Sequence, residues 1–369
     1  MVGLFKPMIA KEIILKPAPD LTDFLSAKES LLTLLSGKRS FAIGYHSDAD
    51  GMAAVSIFLK YLHQQGIPRQ GMTLYPIDNL SRFFDATDVD RILSQKSDVV
   101  FCIDCATSSF EQLIRLKENK CCVVCLDHHR HQDILEAIPD LYINSTQFKE
   151  LTHPEMFTAS KLANSFFYGT SNNWLELVGL DGDVAVQSIS GTPIHEASIR
   201  LNTLGLIGNI IDSSGASIDV RNELVQILVS SNTVYDFLKT FDQDQRLASR
   251  YALITKEIET NVEIIRHLKE TQKIGEHNIT IHEITTPHKQ EITERVLKEH
   301  LRYLSYNDIF ILYSIENNAL CLRLYTSSPF VDCEKILSIF KGGGHKNRAG
   351  LTKMPLENRT VQNVLETIL

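Results

Sequence analysis

Strand-like and helix-like segments alternate regularly between residues 40 and 144, and this alternation constrains the fold more than any other feature. Apolar runs predict strands at 40–45, 72–77, 99–103, 121–126 and 141–144. Apolar residues at helical spacing predict the intervening helices at 52–65, 89–95 and 108–118. Strands joined by helices run parallel, because each crossover returns the chain to the same end of the sheet. The pattern therefore predicts an α/β fold with a parallel sheet.

The rest of the chain predicts a helical segment and a smaller α/β domain. Helical patterns continue from about residue 155 and include a helix predicted at 195–211. Residues 243–270 are polar and free of Gly and Pro, which is typical of a connecting helix. Beyond them the alternation returns, with strands predicted at 279–284, 309–315 and 320–325 and helices at 290–304 and 331–340. We predict an N-terminal domain at 1–242, a connecting helix at 243–270 and a C-terminal domain at 271–369.

The composition is that of an ordinary soluble globular protein, with 43% hydrophobic and 22% charged residues in 369. No apolar run approaches the roughly 20 residues that cross a bilayer, so no membrane partner is expected. The N-terminus lacks the charged-then-apolar order of a signal peptide, which favours a cytoplasmic location. The formal net charge of -8 argues against a protein that coats nucleic acid by bulk electrostatics.

Four of the seven cysteines have the spacing of a zinc site: Cys102, Cys105, Cys122 and Cys125. Both pairs lie in strand-like runs, where residues three apart point to opposite faces, and neither has the glycine-rich turn of a zinc ribbon. Buried apolar thiols are the favoured interpretation.

Side chains that can bind metals follow three of the predicted strands directly. They are His46, Asp48 and Asp50 after the first strand, Asp104 after the third, and Asp127, His128 and His129 after the fourth. Ligands of an open α/β sheet collect where its strands end, so we expect these side chains to converge. Carboxylate and imidazole together suit a borderline divalent metal such as Mn²⁺ or Zn²⁺. The sequence therefore predicts a metal site at this end of the sheet.

The spacing of these residues is consistent with two ions. His46, Asp48 and Asp50 alternate, which places them on one side of an extended segment, and Gly51 permits a sharp turn into the next helix. Asp104 is placed to bridge two ions. Two cations about 3.5–4 Å apart activate a water molecule and stabilise in-line displacement at phosphorus.

A further carboxylate is expected from the helical region. Asp183 is the preferred candidate, because two acids flank a glycine after an apolar run, and Asp181 is the second choice. Asp212 is a third choice and is more typical of a turn.

A second candidate site is the glycine-rich stretch 341–350. Three consecutive glycines leave backbone N–H groups accessible, and His345, Lys346 and Arg348 add donors and positive charge, which suits phosphate binding. A flexible hairpin with solvated charges is an equally good interpretation. Arg323, on a predicted strand, is either a surface residue or a further cation for the same cleft.

Five motifs occur in the order in which a known family has them: His46-x-Asp48-x-Asp50-Gly51, Asp104, Asp127-His128-His129, Gly182-Asp183, and Gly342-Gly-Gly-His345 with Ala349-Gly350. In this combination the chain resembles the DHH phosphoesterase superfamily with its associated C-terminal domain. Within it, the chain is similar to RecJ-like single-strand exonucleases, in particular the short archaeal kind associated with the GINS replication complex. The resemblance implies two Mn²⁺ or Mg²⁺ ions and hydrolysis of single-stranded DNA or RNA in an active cleft between the domains.

The resemblance also implies residue roles. The implied metal ligands are His46, Asp48, Asp50, Asp104, His128 and Asp183. Asp127 would orient a ligand, and His129 would contact the scissile phosphate. The residues that would hold the substrate are Arg323, Gly343, Gly344, His345 and Arg348.

Two other functions remain open at this point. A small phosphoesterase that degrades short oligonucleotides or 3'-phosphoadenosine 5'-phosphate would suit the net acidity. A scaffold for GINS with little catalysis is the second alternative, although the intact carboxylates argue against loss of activity.

Overall fold

The computed structural model divides the chain into two compact units, residues 1–184 with 222–232 and residues 185–221 with 233–369. The residues that it describes are 24–38, 40–77, 84, 86–105, 110–129, 139–148, 157–169, 173–184, 191–211, 217–266, 271–274, 277–283, 308–316, 319–326, 328, 330–340, 343–345 and 348–355. The domain limits predicted at residues 242 and 270 remain predictions.

The first unit contains the predicted parallel sheet. Its strands are β1 (Phe41–His46), β2 (Met72–Ile77), β3 (Val99–Ile103), β4 (Cys122–Asp127) and β5 (Leu141–Asn144). Their order is β2-β1-β3-β4-β5, and every neighbouring pair is parallel. The strands lie within one residue of the predicted bounds, so the α/β prediction is confirmed.

Helices cover the sheet and fill the middle of the chain. They are α1 (Phe24–Leu35), α2 (Ala49–Gln64), α3 (Ala86–Ser94), α4 (Phe110–Glu118), α5 (Ala159–Tyr168), α6 (Trp174–Val184), α7 (Pro193–Ile207), α8 (Arg221–Ser230), α9 (Val234–Gln243) and α10 (Gln245–Arg266). Within the described part of the chain, none of these helices is both long and apolar enough to cross a bilayer.

Helix α2 is the centre of the first unit's core. It is buried along most of its length and packs against both α5 and α6. The ring of Phe58 lies 4.5 Å from that of Phe101 on β3 and 5.3 Å from that of Phe167 on α5. Aromatic contacts at these distances fix α2 between the sheet and α5. The N-terminal turn of α2, which carries Asp50, is therefore held in place by the core.

The C-terminal part of the second unit contains a separate mixed sheet. Its strands are β8 (Thr271–Ile274), β9 (His277–Glu283), β10 (Asp308–Glu316), β11 (Ala319–Thr326), β12 (Gly343–His345) and β13 (Arg348–Pro355). The order is β12-β13-β11-β10-β9-β8, and only β9 and β10 are parallel. One further helix, α11 (Cys333–Ser338), packs against this sheet. The predicted smaller α/β domain is confirmed, while the predicted helix at 290–304 lies outside the described residues.

One local prediction was wrong. The helix predicted at 195–211 ends at Ile207, because Gly208 takes a φ of +70° and the chain continues as strand β6 (Asn209–Ile211), which pairs with β7 (Ser217–Asp219). The predicted connecting helix is present as α10, which is described as far as Arg266, and β8 begins at Thr271. The described residues of the glycine-rich stretch pair as the antiparallel strands β12 and β13, and its phosphate binding remains a prediction.

Three of the four cysteines with zinc-site spacing fit the interpretation as buried thiols, while Cys122 is only half-buried. All seven are free, and Cys102, Cys105 and Cys125 are buried in the core. Among the described residues, no cysteine belongs to a cluster of potential metal ligands. The zinc alternative therefore has no support from the structure.

Arg200 links three helices of the second unit. Its guanidinium pairs with Glu196 at 2.8 Å and with Asp242, and it lies 4.8 Å from the ring of Phe241 and 5.4 Å from that of Tyr251. Helices α7, α9 and α10 therefore meet at one planar cation.

We expect Arg200→Lys to lower the free energy of unfolding by about 1–2 kcal/mol, because an ammonium group cannot pair with two carboxylates and stack at once. A urea titration measures this change. Arg246→Lys is the matched control, since Arg246 pairs with Asp244 in an exposed position and should change stability by less than about 0.5 kcal/mol. Equal effects of the two substitutions would contradict the role given to Arg200.

Candidate metal centre

The ends of three neighbouring strands bring the predicted ligands of the first unit together. His46 is the last residue of β1, Asp104 follows β3, and Asp127 ends β4. Because β1, β3 and β4 are adjacent and parallel, their ends meet at one edge of the sheet. The convergence that the sequence predicted is therefore present.

Asp104 lies at the middle of this cluster. Its Oδ2 is 3.6 Å from Nδ1 of His46, and its Oδ1 is 3.4 Å from Nε2 of His128. Its backbone has a φ of +60°, a left-handed conformation that costs a residue with a side chain about 1–3 kcal/mol. The two oxygens of one carboxylate thus face two different imidazoles, so Asp104 could contribute a ligand to a cation on either side.

The first group contains His46, Asp48 and Asp104. Nδ1 of His46 is 2.8 Å from Oδ2 of Asp48, while Oδ1 of Asp48 accepts a hydrogen bond of 2.9 Å from the backbone N–H of Gly51. A side chain on Gly51 would come within 2.9 Å of both the carbonyl carbon and Cβ of His46. Only glycine therefore allows α2 to begin this close to the end of β1.

The second group contains Asp50, His128 and Asp183. Nε2 of His128 is 3.8 Å from Oδ2 of Asp50 and 3.9 Å from Oδ2 of Asp183. The prediction of an extended segment through Asp50 was wrong, because α2 already begins at Ala49. The helical turn directs Asp50 away from the first group and towards His128.

Asp127 organises the loop that follows β4. Its Oδ1 accepts hydrogen bonds from the backbone N–H groups of His128 and His129, at 2.7 and 3.2 Å, and lies 2.8 Å from Nδ1 of His129. An ionised carboxylate only accepts, so Nδ1 of His129 carries a proton. Asn144 on β5 donates a 2.9 Å hydrogen bond to the carbonyl of His129. Both histidines are therefore held in fixed orientations.

The imidazoles respond strongly to the surrounding carboxylates. Burial alone lowers the pKa of His46, but Asp48 and Asp104 outweigh it and raise this pKa to about 10. Burial likewise lowers the pKa of His128, and Asp104 and Asp50 raise it to about 9. In the absence of a metal, both histidines are therefore protonated at neutral pH.

The carboxylates are shifted in opposite directions. Burial and the charge of Asp104 raise the pKa of Asp50 to about 6. Burial also acts to raise the pKa of Asp104, but hydrogen bonds from His128 and His46 outweigh it and lower that pKa. Asp104 is therefore ionised and available as a ligand.

The cluster has the donors that a divalent cation needs. Nε2 of His46 is buried and has no hydrogen-bond partner within the described parts of the chain. Buried polar atoms are normally paired, so an unpaired imidazole nitrogen among potential ligands fits a cation site. The potential ligand atoms of each group lie within 4.8 Å of one another. Oxygen and imidazole donors suit Mn²⁺, and the oxygens also suit Mg²⁺.

The other predicted site residues lie apart or are only partly described. Asp181 is buried and belongs to no group of potential ligands among the described residues, and Asp212 lies outside those residues. For the substrate-binding set of the second unit, the strands are described, but the side chains of His345 and Arg348 are not. Gly343 and Gly344 pair with Gly350 and Ala349, and Arg323 lies opposite Gly350 on the next strand.

The position of the Arg323 side chain requires a glycine at position 350. A side chain on Gly350 would come within 2.9 Å of Cζ of Arg323. The guanidinium thus lies across the backbone of β13, in space that a glycine leaves open. Arg323 can adopt this position only because residue 350 is a glycine. The sequence pattern did not reveal this dependence.

Sequence reasoning also missed three groups that support the ligands. They are Asn144, the backbone N–H groups of Ala159 and Ser160, and Gly179. Thr158 gives a recognisable helix start, because its side chain caps α5, but no local pattern connects that start to Asp50, which lies 109 residues before Ala159.

Comparison with known families gives one match. Residues 40–178 match the DHH family, N-terminal domain. This region includes the ends of β1, β3 and β4, where most of the candidate ligands lie. A comparison with curated proteins gives no match.

Solved structures resemble the chain over most of its length. A DHH domain described as belonging to a family of ribosomal proteins has a TM-score of 0.67 at 13% identity, covering 93% of this chain and 88% of the other. RecJ from Thermus thermophilus in complex with Mn²⁺ has a TM-score of 0.58 at 15% identity, covering 97% of this chain and 55% of RecJ. Exonuclease RecJ bound to manganese has a TM-score of 0.55 at 16% identity, covering 97% and 95%. At these identities the likeness shows the fold, and the family match adds a DHH N-terminal domain at residues 40–178.

We expect the affinity for Mn²⁺ to rise with pH between about pH 6 and 8, because the metal must displace protons from His46 and His128. Each proton released gives a slope of about tenfold per pH unit. Calorimetry in buffers of different ionisation enthalpy counts these protons. His128→Gln should reduce the count, and His195→Gln on α7 should not. An affinity that stays constant over this range would contradict the protonation of the two ligands.

Proposed function

We propose that the protein is a metal-dependent phosphodiesterase of RecJ-like type that removes nucleotides from single-stranded DNA or RNA. The observation that carries the proposal is the position of Asp104, whose two oxygens face separate groups of ligands, 3.6 and 3.4 Å from His46 and His128. Two ions bridged by a carboxylate are an arrangement used for in-line displacement at phosphorus. The DHH family match over residues 40–178 supports phosphoester hydrolysis.

The proposal assigns two Mn²⁺ or Mg²⁺ ions to the two groups. The first would bind His46, Asp48 and Asp104, and the second would bind Asp50, His128 and Asp183. Asp104 would also serve the second ion, because its Oδ1 is 3.4 Å from Nε2 of His128. When bound, such ions lower the pKa of a water molecule and neutralise charge on the phosphate. The chain itself contributes ligands that are already held in place, through the cap of α2 by Asp48 and the contact of Asp50 with α5.

His129 and Asp127 act together in this proposal. The Asp127 carboxylate holds the proton of His129 on Nδ1, so the ring keeps one orientation and its Nε2 is the atom that can serve the substrate. A protonated Nε2 would donate a hydrogen bond to an oxygen of the scissile phosphate as negative charge develops there. Asp127 would stabilise that protonated form of His129.

Substrate binding is assigned to the second unit. Arg323, Gly343, Gly344, His345 and Arg348 would bind the phosphates of the nucleic acid. Exposed backbone N–H groups and a guanidinium recognise phosphate without reading the base, which suits a substrate of any sequence. Participation in DNA replication or repair beside GINS is part of this proposal and rests on the sequence resemblance.

We expect Asp104→Asn to reduce Mn²⁺-dependent hydrolysis of a labelled oligonucleotide by at least about 10³-fold, because both metal-binding groups lose a charged ligand. The substitution keeps the shape of the side chain, so the thermal unfolding profile should keep a single folded state. Asp90→Asn is the control, since Asp90 is exposed on α3 and pairs with Arg115 away from the ligands. Hydrolysis retained in Asp104→Asn would remove Asp104 from the mechanism.

A phosphoesterase for short substrates is the second candidate, and the net charge of -8 favours it because a long polyanion is repelled more strongly. We expect a single-stranded oligonucleotide of roughly 30 residues to be degraded faster than a dinucleotide, since several phosphates would contact the second unit. Substrates labelled at the 5' or 3' end, in DNA and RNA forms, measure preference and direction together. Faster cleavage of the dinucleotide would favour the second candidate.

A further inference from the structure

The Asp50 carboxylate is tightly packed between α5 and α6. Its Oδ2 accepts a hydrogen bond of 2.7 Å from the backbone N–H of Ala159, and its Oδ1 accepts one of 3.0 Å from the backbone N–H of Ser160. These are the first two residues of α5, whose N-terminus also favours a negative charge. Asp50 is 1% exposed, so water does not compete for these bonds. Both oxygens are therefore fixed from the side of α5.

Gly179 of α6 packs against the other side of the Asp50 carboxylate. A side chain on Gly179 would clash with Oδ1 of Asp50 and with Oγ of Ser160, and it would lie 2.6 Å from Cβ of Ser160. Asp50 cannot move away without breaking its bonds to α5. The hydroxyl of Ser160 is bonded to Oγ1 of Thr158 at 2.9 Å, which limits its movement too. Any side chain at position 179 must therefore push α6 away.

The position of α6 matters because the same helix carries Asp183. Gly179 and Asp183 are four residues apart, so they lie on the same face of the helix, one turn from each other. Oδ2 of Asp183 is 3.9 Å from Nε2 of His128, and these atoms complete the second group with Asp50. The close approach at Gly179 thus determines whether Asp183 reaches the other two ligands.

We propose that Gly179 is a positioning residue for the second group of ligands, acting through the distance between α6 and Asp50. The inference rests on the proposed function, since it takes this group to bind a divalent cation. Glycine inside a helix is ordinarily unfavourable, and replacing it by alanine ordinarily stabilises the helix. Here the chain keeps that unfavourable residue at the turn of α6 that touches a candidate ligand.

The test is Mn²⁺ binding to the full-length protein, measured by calorimetry and by the electron paramagnetic resonance of free Mn²⁺. We expect Gly179→Ala to weaken one of two binding steps by at least tenfold and to leave the other step unchanged. Asp183→Asn should weaken the same step, which identifies it. Leu177→Ala is the matched control on α6, because Leu177 is exposed and should affect neither step.

A compensating substitution separates position from general damage. Asp183→Glu adds one methylene group, so in the Gly179→Ala background it should restore at least part of the lost affinity, while alone it should not improve binding. Should Gly179→Ala fail to fold in chelator, Gly179→Ala with Ser160→Gly removes both contacts with Ser160 and leaves the clash with Asp50. That double variant is expected to fold and still lose the same step.

Three results would overturn the inference. The first is unchanged Mn²⁺ binding in Gly179→Ala or, where that variant does not fold, in the double variant. The second is equal weakening of both binding steps, and the third is loss of one step that Asp183→Glu does not restore.

Failure of the proposed function gives a different result. In that case the unaltered protein would bind no Mn²⁺, or would bind two ions without hydrolysing any phosphodiester.

Discussion

The structure of the first unit depends on burying several carboxylates at one place. Asp50, Asp104 and Asp127 are each at most 2% exposed and lie around two buried or nearly buried histidines. Burial of a charge is unfavourable unless an opposite charge or hydrogen bonds compensate it. Without a metal, protons on His46 and His128 supply the positive charge, because the neighbouring carboxylates raise the pKa values of both residues more than burial lowers them. In the proposed function, cations would therefore compete with protons for these side chains.

The ligands are held before any cation binds. Asp104 is fixed by its left-handed backbone and by a hydrogen bond of 2.9 Å from its N–H to the carbonyl of Leu126 on the neighbouring strand. His128 and His129 are fixed through Asp127, whose carboxylate accepts hydrogen bonds from the backbone N–H groups of both residues. A site prepared in this way would lose little conformational entropy on binding the proposed ions, so more of the binding free energy would appear as affinity.

The sequence predicted the features that depend on local patterns. Short apolar runs defined the five strands of the first unit, and their parallel direction made strand ends such as Asp104 and Asp127 converge. Features that depend on tertiary contacts were missed or wrong. The start of α2 at Ala49, which turns Asp50 towards His128, requires the close approach of Gly51 to His46. Nothing near Asp50 in the chain indicates that it contacts α5.

The two groups of ligands differ in how the fold holds them. The first is built from the ends of β1 and β3 and the cap of α2, so its geometry follows from the sheet. The second adds Asp183, which comes from helix α6. This helix can lie close to Asp50 because Gly179 has no side chain. Helices shift past one another more readily than paired strands separate, because packed side chains lack the sheet's continuous hydrogen bonds. Substitutions that repack α5 and α6 could therefore change the cation affinity of the second group during evolution. They would leave undisturbed the sheet that holds the first group.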